Sequence, residues 1–82
     1  MQFIAIVGLM YQRGQGVHRD YNESVRYYRK AAALNNSFGQ LRLGSMYYYG
    51  LGVAQDYNET LKWARLAADQ GDSSAQTMIG TR

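Results

Sequence analysis

Gly8-Leu9-Met10-Tyr11-Gln12-Arg13-Gly14-Gln15-Gly16-Val17-His18-Arg19-Asp20-Tyr21-Asn22-Glu23 returns 36 residues later as Gly44-Ser45-Met46-Tyr47-Tyr48-Tyr49-Gly50-Leu51-Gly52-Val53-Ala54-Gln55-Asp56-Tyr57-Asn58-Glu59. Ten of these sixteen positions are identical, and across the chain the period gives 16 identities in the 46 pairs it can compare. Other pairs keep size or charge, as in Ser24/Thr60, Val25/Leu61, Arg26/Lys62 and Tyr27/Trp63. A fixed period of this size marks a stacked helix-pair solenoid, in which each unit buries its apolar face against the next.

Each unit reads as helix A, a glycine loop, helix B and a short link. Asp20-Tyr21-Asn22-Glu23 and Asp56-Tyr57-Asn58-Glu59 place an Asp three residues before a Glu. That spacing predicts the start of helix B, with Asp accepting from a first-turn amide and Glu reaching back to the cap. Within helix B, Tyr21, Val25, Tyr28 and Ala32 share one face, as do Tyr57, Leu61, Ala64 and Ala68, so both stripes are predicted to be core. Arg26, Arg29, Lys30, Lys62 and Arg65 fall on the opposite side.

Asn35 and Gly71 end the two B helices with residues that tolerate a left-handed backbone, and Ser37 and Ser73 are predicted to cap the A helices that follow. Helix A of the second unit is predicted from about Phe38 to Tyr49. Gly8, Gly44 and Gly80 would fall inside A helices, where Gly is costly, so a close backbone approach is predicted, with Ala31-Ala32 or Ala67-Ala68 as the partner surface. The loops Gly14-Gln15-Gly16-Val17 and Gly50-Leu51-Gly52-Val53 turn the chain on paired glycines, with Val17 and Val53 returning to the core. They lack the third Gly and the Lys-Ser/Thr ending of a phosphate cradle.

The stretch Leu43–Tyr57, with Leu61-Lys62-Trp63-Ala64-Arg65-Leu66-Ala67-Ala68-Asp69-Gln70-Gly71, resembles the Sel-1-like repeat, a relative of the tetratricopeptide repeat with a longer inter-helix loop. The first unit resembles it through Gly8, Tyr11, Gly14, Gly16, Val17, Asp20, Tyr27, Tyr28, Arg29, Lys30, Ala31 and Ala32. Asn35 stands in place of the usual Gly, Gly39 where Ala is common, and Ser24 and Thr60 where a helix-favouring Ala is usual. The resemblance implies an all-α fold: an α/α solenoid of stacked antiparallel helix pairs, a right-handed superhelix of about five helices. The organisation expected is a single repeat domain over residues 1–82, with repeat 1 at about 1–36, repeat 2 at about 37–72 and a partial third repeat helix at 73–82.

Eighty-two residues allow one small domain. No Cys is present, which removes disulfides and thiolate metal sites, and His18, the single histidine, reads as an exposed loop residue. Nine basic and six acidic side chains give a net charge of +3, and the first half carries five basic against two acidic. The apolar run Phe3–Met10 is too short to span a bilayer, which takes about 20 residues, and reads as a buried helix face in a soluble chain with no visible export signal.

The resemblance also implies a non-catalytic protein-interaction module or scaffold, with a partner protein or peptide on the concave side lined by successive A helices. The candidates there are Gln12, Arg13, Gln40, Arg42, Ser45, Tyr48, Tyr49 and Gln76. Tyr48 and Tyr49 replace Gln12 and Arg13 in the other unit, and such variation marks positions that packing does not dictate. Two alternatives are a weak polyanion or RNA binder through Arg13, Arg19, Arg26, Arg29 and Arg42, and a fragment of a larger hydrolase-like or β-lactam-binding repeat protein. Against catalysis, Ser24, Ser37, Ser45, Ser73 and Ser74 have only His18 as a candidate base. No cofactor or metal is expected. Phe3, Ile4, Ile6 and Val7 at one end, with Met78 and Ile79 at the other, would leave apolar surface open, so self-association or a longer parent array is expected.

Overall fold

The computed structural model describes residues 2–78 and, within them, the side chains of all but Gln2, Ser74, Thr77 and Met78. Expectations that fall on Met1, the Met78 side chain, Ile79, Gly80 and the helix end at Arg82 lie outside the described residues.

Five helices follow one another: α1 (Gln2–Arg13), α2 (Tyr21–Ala33), α3 (Ser37–Tyr49), α4 (Tyr57–Asp69) and α5 (Ser73–Met78). Packing follows chain order, α1 on α2, α2 on α3, α3 on α4 and α4 on α5, with a light contact of α1 on α3. This is the stack that the 36-residue period requires, and among the described residues it contains no strand. No described helix is long and apolar enough to cross a membrane.

The caps show how sequence sets the boundaries. Asp20 accepts from Glu23 N at 3.1 Å, and Asp56 accepts from Asn58 N at 3.0 Å and Glu59 N at 3.2 Å. The reciprocal half of the predicted box does not form. The backbone N–H of Asp20 already donates to Tyr11 O at 2.9 Å and that of Asp56 to Tyr47 O at 3.0 Å, which ties each loop back to its own helix A. Glu23 therefore turns to Arg26 at 3.0 Å, and Glu59 accepts from Trp63 Nε1 at 3.2 Å.

The A-helix caps differ by one residue from the expectation. Asn36 accepts from Gly39 N at 2.8 Å and Asp72 from Ala75 N at 2.9 Å, so Ser37 and Ser73 are the first helical residues. Asn and Asp lead the N-cap preference, and here they stand directly after the left-handed residues Asn35 (φ 64°) and Gly71 (φ 91°). Asn36 N reaches Ala31 O at 3.1 Å and Asn35 N reaches Ala32 O at 3.0 Å, a Schellman closure that leaves Asn36 free to cap α3.

Helices A and B meet more closely than the sequence indicated, and at a different place. A Cβ on Gly8 would lie 2.7 Å from the Tyr28 ring and 3.2 Å from Ser24 O; one on Gly44 would lie 3.3 Å from Thr60 O. The partner is thus the middle of helix B, and the Ala-rich end instead receives Gly39, whose added Cβ would lie 2.6 Å from that of Ala31. Ser24 and Thr60, read as helix-weakening departures, donate to Gly8 O at 2.8 Å and Gly44 O at 2.9 Å. An alanine at either place would leave out this cross-helix bond, worth about 0.5 to 1.5 kcal/mol.

The core centres on Val25, Tyr28, Ala32, Leu43 and Met46, with Tyr21, Tyr47, Leu51, Val53 and Trp63 packed around it. It lies where α2 meets α3 and the second loop. The second stripe is less covered than predicted: Ala64 is buried, but Tyr57 is 58% exposed and Leu61 39%. Their counterparts Tyr21 and Val25 are covered by the loop around Gly52, whose added Cβ would meet Tyr21 O at 2.5 Å. No described segment does the same for Tyr57.

Candidate functional site

The A helices carry both buried residues and an exposed set. Gly8, Gly44 and Met46 repeat or are repeated, and are buried. Tyr48 and Tyr49 break the period and are 45% and 66% exposed. Their rings meet edge-on at 4.9 Å, and Tyr57 tilts against Tyr48 at 5.5 Å, giving an aromatic patch at the C-terminal end of α3.

A second group gathers around the Tyr28 hydroxyl. Tyr28 is fully buried, and its hydroxyl donates to Gln12 Oε1 at 2.5 Å. Burial pushes the Tyr28 phenol above its usual value, partly offset by the Ser24 hydroxyl and then by Arg42 and Arg13 nearby. Arg13 is exposed at the end of α1. Arg42 is half-buried, with its guanidinium carbon 5.5 Å from the centre of the Phe38 ring. Its Nε is buried and has no acceptor among the described residues. A donor left in that condition costs on the order of 1 to 3 kcal/mol, more when charged.

Phe38 also borders an open cleft of about 320 Å³ between α1 and α3, lined by Ile6, Asn36, Ser37 and Phe38. Ile6 is 45% exposed there and Phe38 36%. Of the cations on helices B, Arg26 and Lys62 pair with Glu23 and Glu59, and Arg29 donates to the Tyr47 hydroxyl at 3.2 Å.

Three of the eight predicted residues serve the fold. Gln40 is 2% exposed; its amide donates to Ala32 O at 3.5 Å and Asn35 Oδ1 at 3.3 Å and accepts from Gln70 Nε2 at 2.9 Å. It is a buried brace between the ends of α2 and α4. Gln76 repeats part of that role, donating to Ala68 O at 3.3 Å, and Ser45 donates to Leu41 O at 3.1 Å within its own helix. The structure brings Arg13, Gln12 and Arg42 together around Tyr28, and Tyr48 with Tyr49; it does not join all eight. Tyr28, Phe38, Ile6 and Tyr57 were missed. The first three occupy positions where the period also breaks, as Ala64, Ser74 and Arg42, and that was the available signal.

Among the described residues no group of three or more His, Cys, Asp or Glu is placed to hold a metal ion. His18 is exposed in its loop.

The Sel1 repeat family model matches residues 4–36 and 37–72. Among solved structures, the chain is similar to a Sel1 repeat protein from Oxalobacter formigenes, with 43% identity and a TM-score of 0.94 over 96% of this chain and 32% of that one. It is similar to c5321, a protective antigen of uropathogenic Escherichia coli strains displaying an SLR fold, with 43% identity and a TM-score of 0.91 over 94% of this chain and 16% of that one. Helicobacter pylori cysteine rich protein B is similar at 30% identity and a TM-score of 0.88, over 94% of this chain and 58% of that one. The chain therefore spans less than two thirds of each of these proteins, and among curated proteins none matches it. With both 36-residue units matched and the helix order, loops and caps repeating in step, the chain belongs to the Sel1 repeat family.

Proposed function

We propose that this chain is a non-catalytic scaffold that binds a partner protein or peptide on the side lined by its A helices. Sel1-like repeat proteins are generally protein-interaction scaffolds. The observation that carries the reading for this chain is the exposure of Tyr48 and Tyr49 at positions the repeat does not fix. Tyr and Arg supply contact area with hydrogen bonding at low ordering cost, and they are enriched where interfaces gain most of their energy. A pull-down comparing the native chain with the triple variant Arg42→Ala, Tyr48→Ala, Tyr49→Ala tests it. Loss of the specific partners from the variant is expected, and equal recovery would place the binding surface elsewhere.

A second reading is self-association through the ends of the stack. It is favoured by Phe3 at 80% exposure on α1 and by Tyr57 and Leu61 on α4, whose counterparts in the first unit are covered by the second. The occupant would be a second copy presenting its own A-helix end and loop. Light scattering across dilution is expected to give a mass that rises with concentration, and to lose that rise in Leu61→Ser. A constant monomer mass refutes it.

A further inference from the structure

We infer that the cleft between α1 and α3 takes an extended acidic peptide, with one apolar side chain between Ile6 and Phe38 and a carboxylate two residues away on Arg42. The inference rests on the A-helix reading above and names the chemistry of the partner.

Charge is the first argument. All six acidic residues lie in the caps, first turns or end of the B helices and in the cap of α5: Asp20, Glu23, Asp56, Glu59, Asp69 and Asp72. Helices α1, α3 and α5 contain none, yet the side they line carries Arg13 and Arg42. On the B helices Arg26 and Lys62 each have a carboxylate while the exposed Arg29, Lys30 and Arg65 have none; among the described residues Arg42 also has none, and it differs from those three in being half-buried with an Nε that has no acceptor. A half-buried guanidinium without a counter-charge favours an incoming carboxylate over water.

Spacing is the second. Phe38 and Arg42 are one helical turn apart on the same face, and the Arg42 guanidinium carbon lies 5.5 Å from the centre of the Phe38 ring. An extended peptide places side chains i and i+2 on one side, roughly 6.6 Å apart. An apolar residue and an acid separated by one residue therefore span the distance from cleft to guanidinium, and adjacent ones do not, since they point to opposite sides. The cleft, about 320 Å³, has room for one large side chain, and at its margin Asn36 Oδ1 is taken up in capping Gly39 N.

The test uses the full chain and four probes followed by fluorescence anisotropy. The first is a labelled peptide Gly-Leu-Ser-Asp-Ser-Leu-Ser-Asp-Gly. The second has the same composition with Leu and Asp adjacent, Gly-Leu-Asp-Ser-Ser-Leu-Asp-Ser-Gly. The third replaces each Asp of the first by Asn, and the fourth is oligouridine of matched charge. The first is expected to bind about tenfold or more tightly than the Asn peptide, the ratio one charge-assisted hydrogen bond supports, and more tightly than the rearranged peptide. Arg42→Gln should erase the Asp/Asn difference, and Arg26→Gln should leave it intact. Equal binding of the Asp and Asn peptides by the native chain overturns the inference without reliance on any variant. Equal losses in Arg42→Gln and Arg26→Gln, or competition by oligouridine as strong as by the first peptide, overturn it in favour of a general polyanion surface. Loss of partners by the triple variant together with no Asp/Asn preference would leave the scaffold reading standing and remove this one.

Discussion

Replacing Gly39 by alanine opposes two effects whose magnitudes can be compared from the structure. Alanine is favoured over glycine inside a helix by about 0.5 to 1 kcal/mol, so on propensity alone the change should stabilise α3. The new Cβ, however, would lie 2.6 Å from Ala31 Cβ, 3.0 Å from Ala32 N and 3.1 Å from Ala31 C. These atoms belong to the backbone of α2 or are fixed to it, so none can swing aside, and relief requires α3 to move off α2. Overpacking of this kind costs about 1 to 3 kcal/mol. The net expectation is a loss of about 1 kcal/mol, which in a domain of this size lowers Tm by roughly 4 to 8 °C. Gly44→Ala provides the contrast: its Cβ would meet Thr60 O at 3.3 Å, a tight contact, and Trp63 Cβ at 3.5 Å, an ordinary one, so crowding is milder than at Gly39 and the loss should be smaller. Thermal and urea unfolding followed by far-UV circular dichroism measures both. A higher midpoint for Gly39→Ala, or a larger loss for Gly44→Ala, would refute the argument that the approach of α3 to α2 demands glycine at position 39.

Asp56→Ala is expected to cost more than Asp20→Ala within the usual range of about 0.5 to 2 kcal/mol, because Asp56 accepts from two first-turn amides and Asp20 from one; urea midpoints at neutral pH decide the order. Thr60→Val removes the bond to Gly44 O at nearly constant shape and should lower stability by about 1 kcal/mol, with Thr60→Ser retaining most of it. Burial raises the folded-state Tyr28 pKa above the ordinary value near 10, so the neutral phenol is the form the fold prefers. Its contribution is complete below about pH 10 and is lost as pH rises through the higher folded value. Unfolding midpoints between about pH 8 and 11 should therefore fall less steeply in Tyr28→Phe than in the native chain, and parallel curves would refute the assignment.

The architecture was legible because a solenoid writes its period into every layer. Loop glycines, Asp caps and closing residues each had to reappear 36 positions on, and local signals and long-range packing agreed. What sequence misjudged were the places where one residue answers to two helices. Ser24 and Thr60 read as poor helix formers because their hydroxyls belong to α1 and α3 through Gly8 O and Gly44 O. The expected turn-back of Glu23 and Glu59 failed because helix A carbonyls had already taken the cap amides.

The candidate site shows the same logic in reverse. Repetition at Gln40 and Gln76 was itself the sign of a structural role, since both amides brace the end of a preceding helix B at Ala32 O and Ala68 O. The more exposed A-helix residues include several where the two units differ, as in Ile6/Arg42, Arg13/Tyr49 and Phe38/Ser74, of which Ile6, Arg13, Tyr49 and Phe38 are exposed. Identity across the period marks only part of the buried side, since Ala5/Leu41, Val7/Leu43 and Gly39/Ala75 differ and yet Ala5, Leu43, Gly39 and Ala75 are buried. The A-helix side combines exposed aromatic rings, an apolar cleft and a guanidinium with no carboxylate among the described residues, and the missing negative charge is what the inferred acidic peptide would supply.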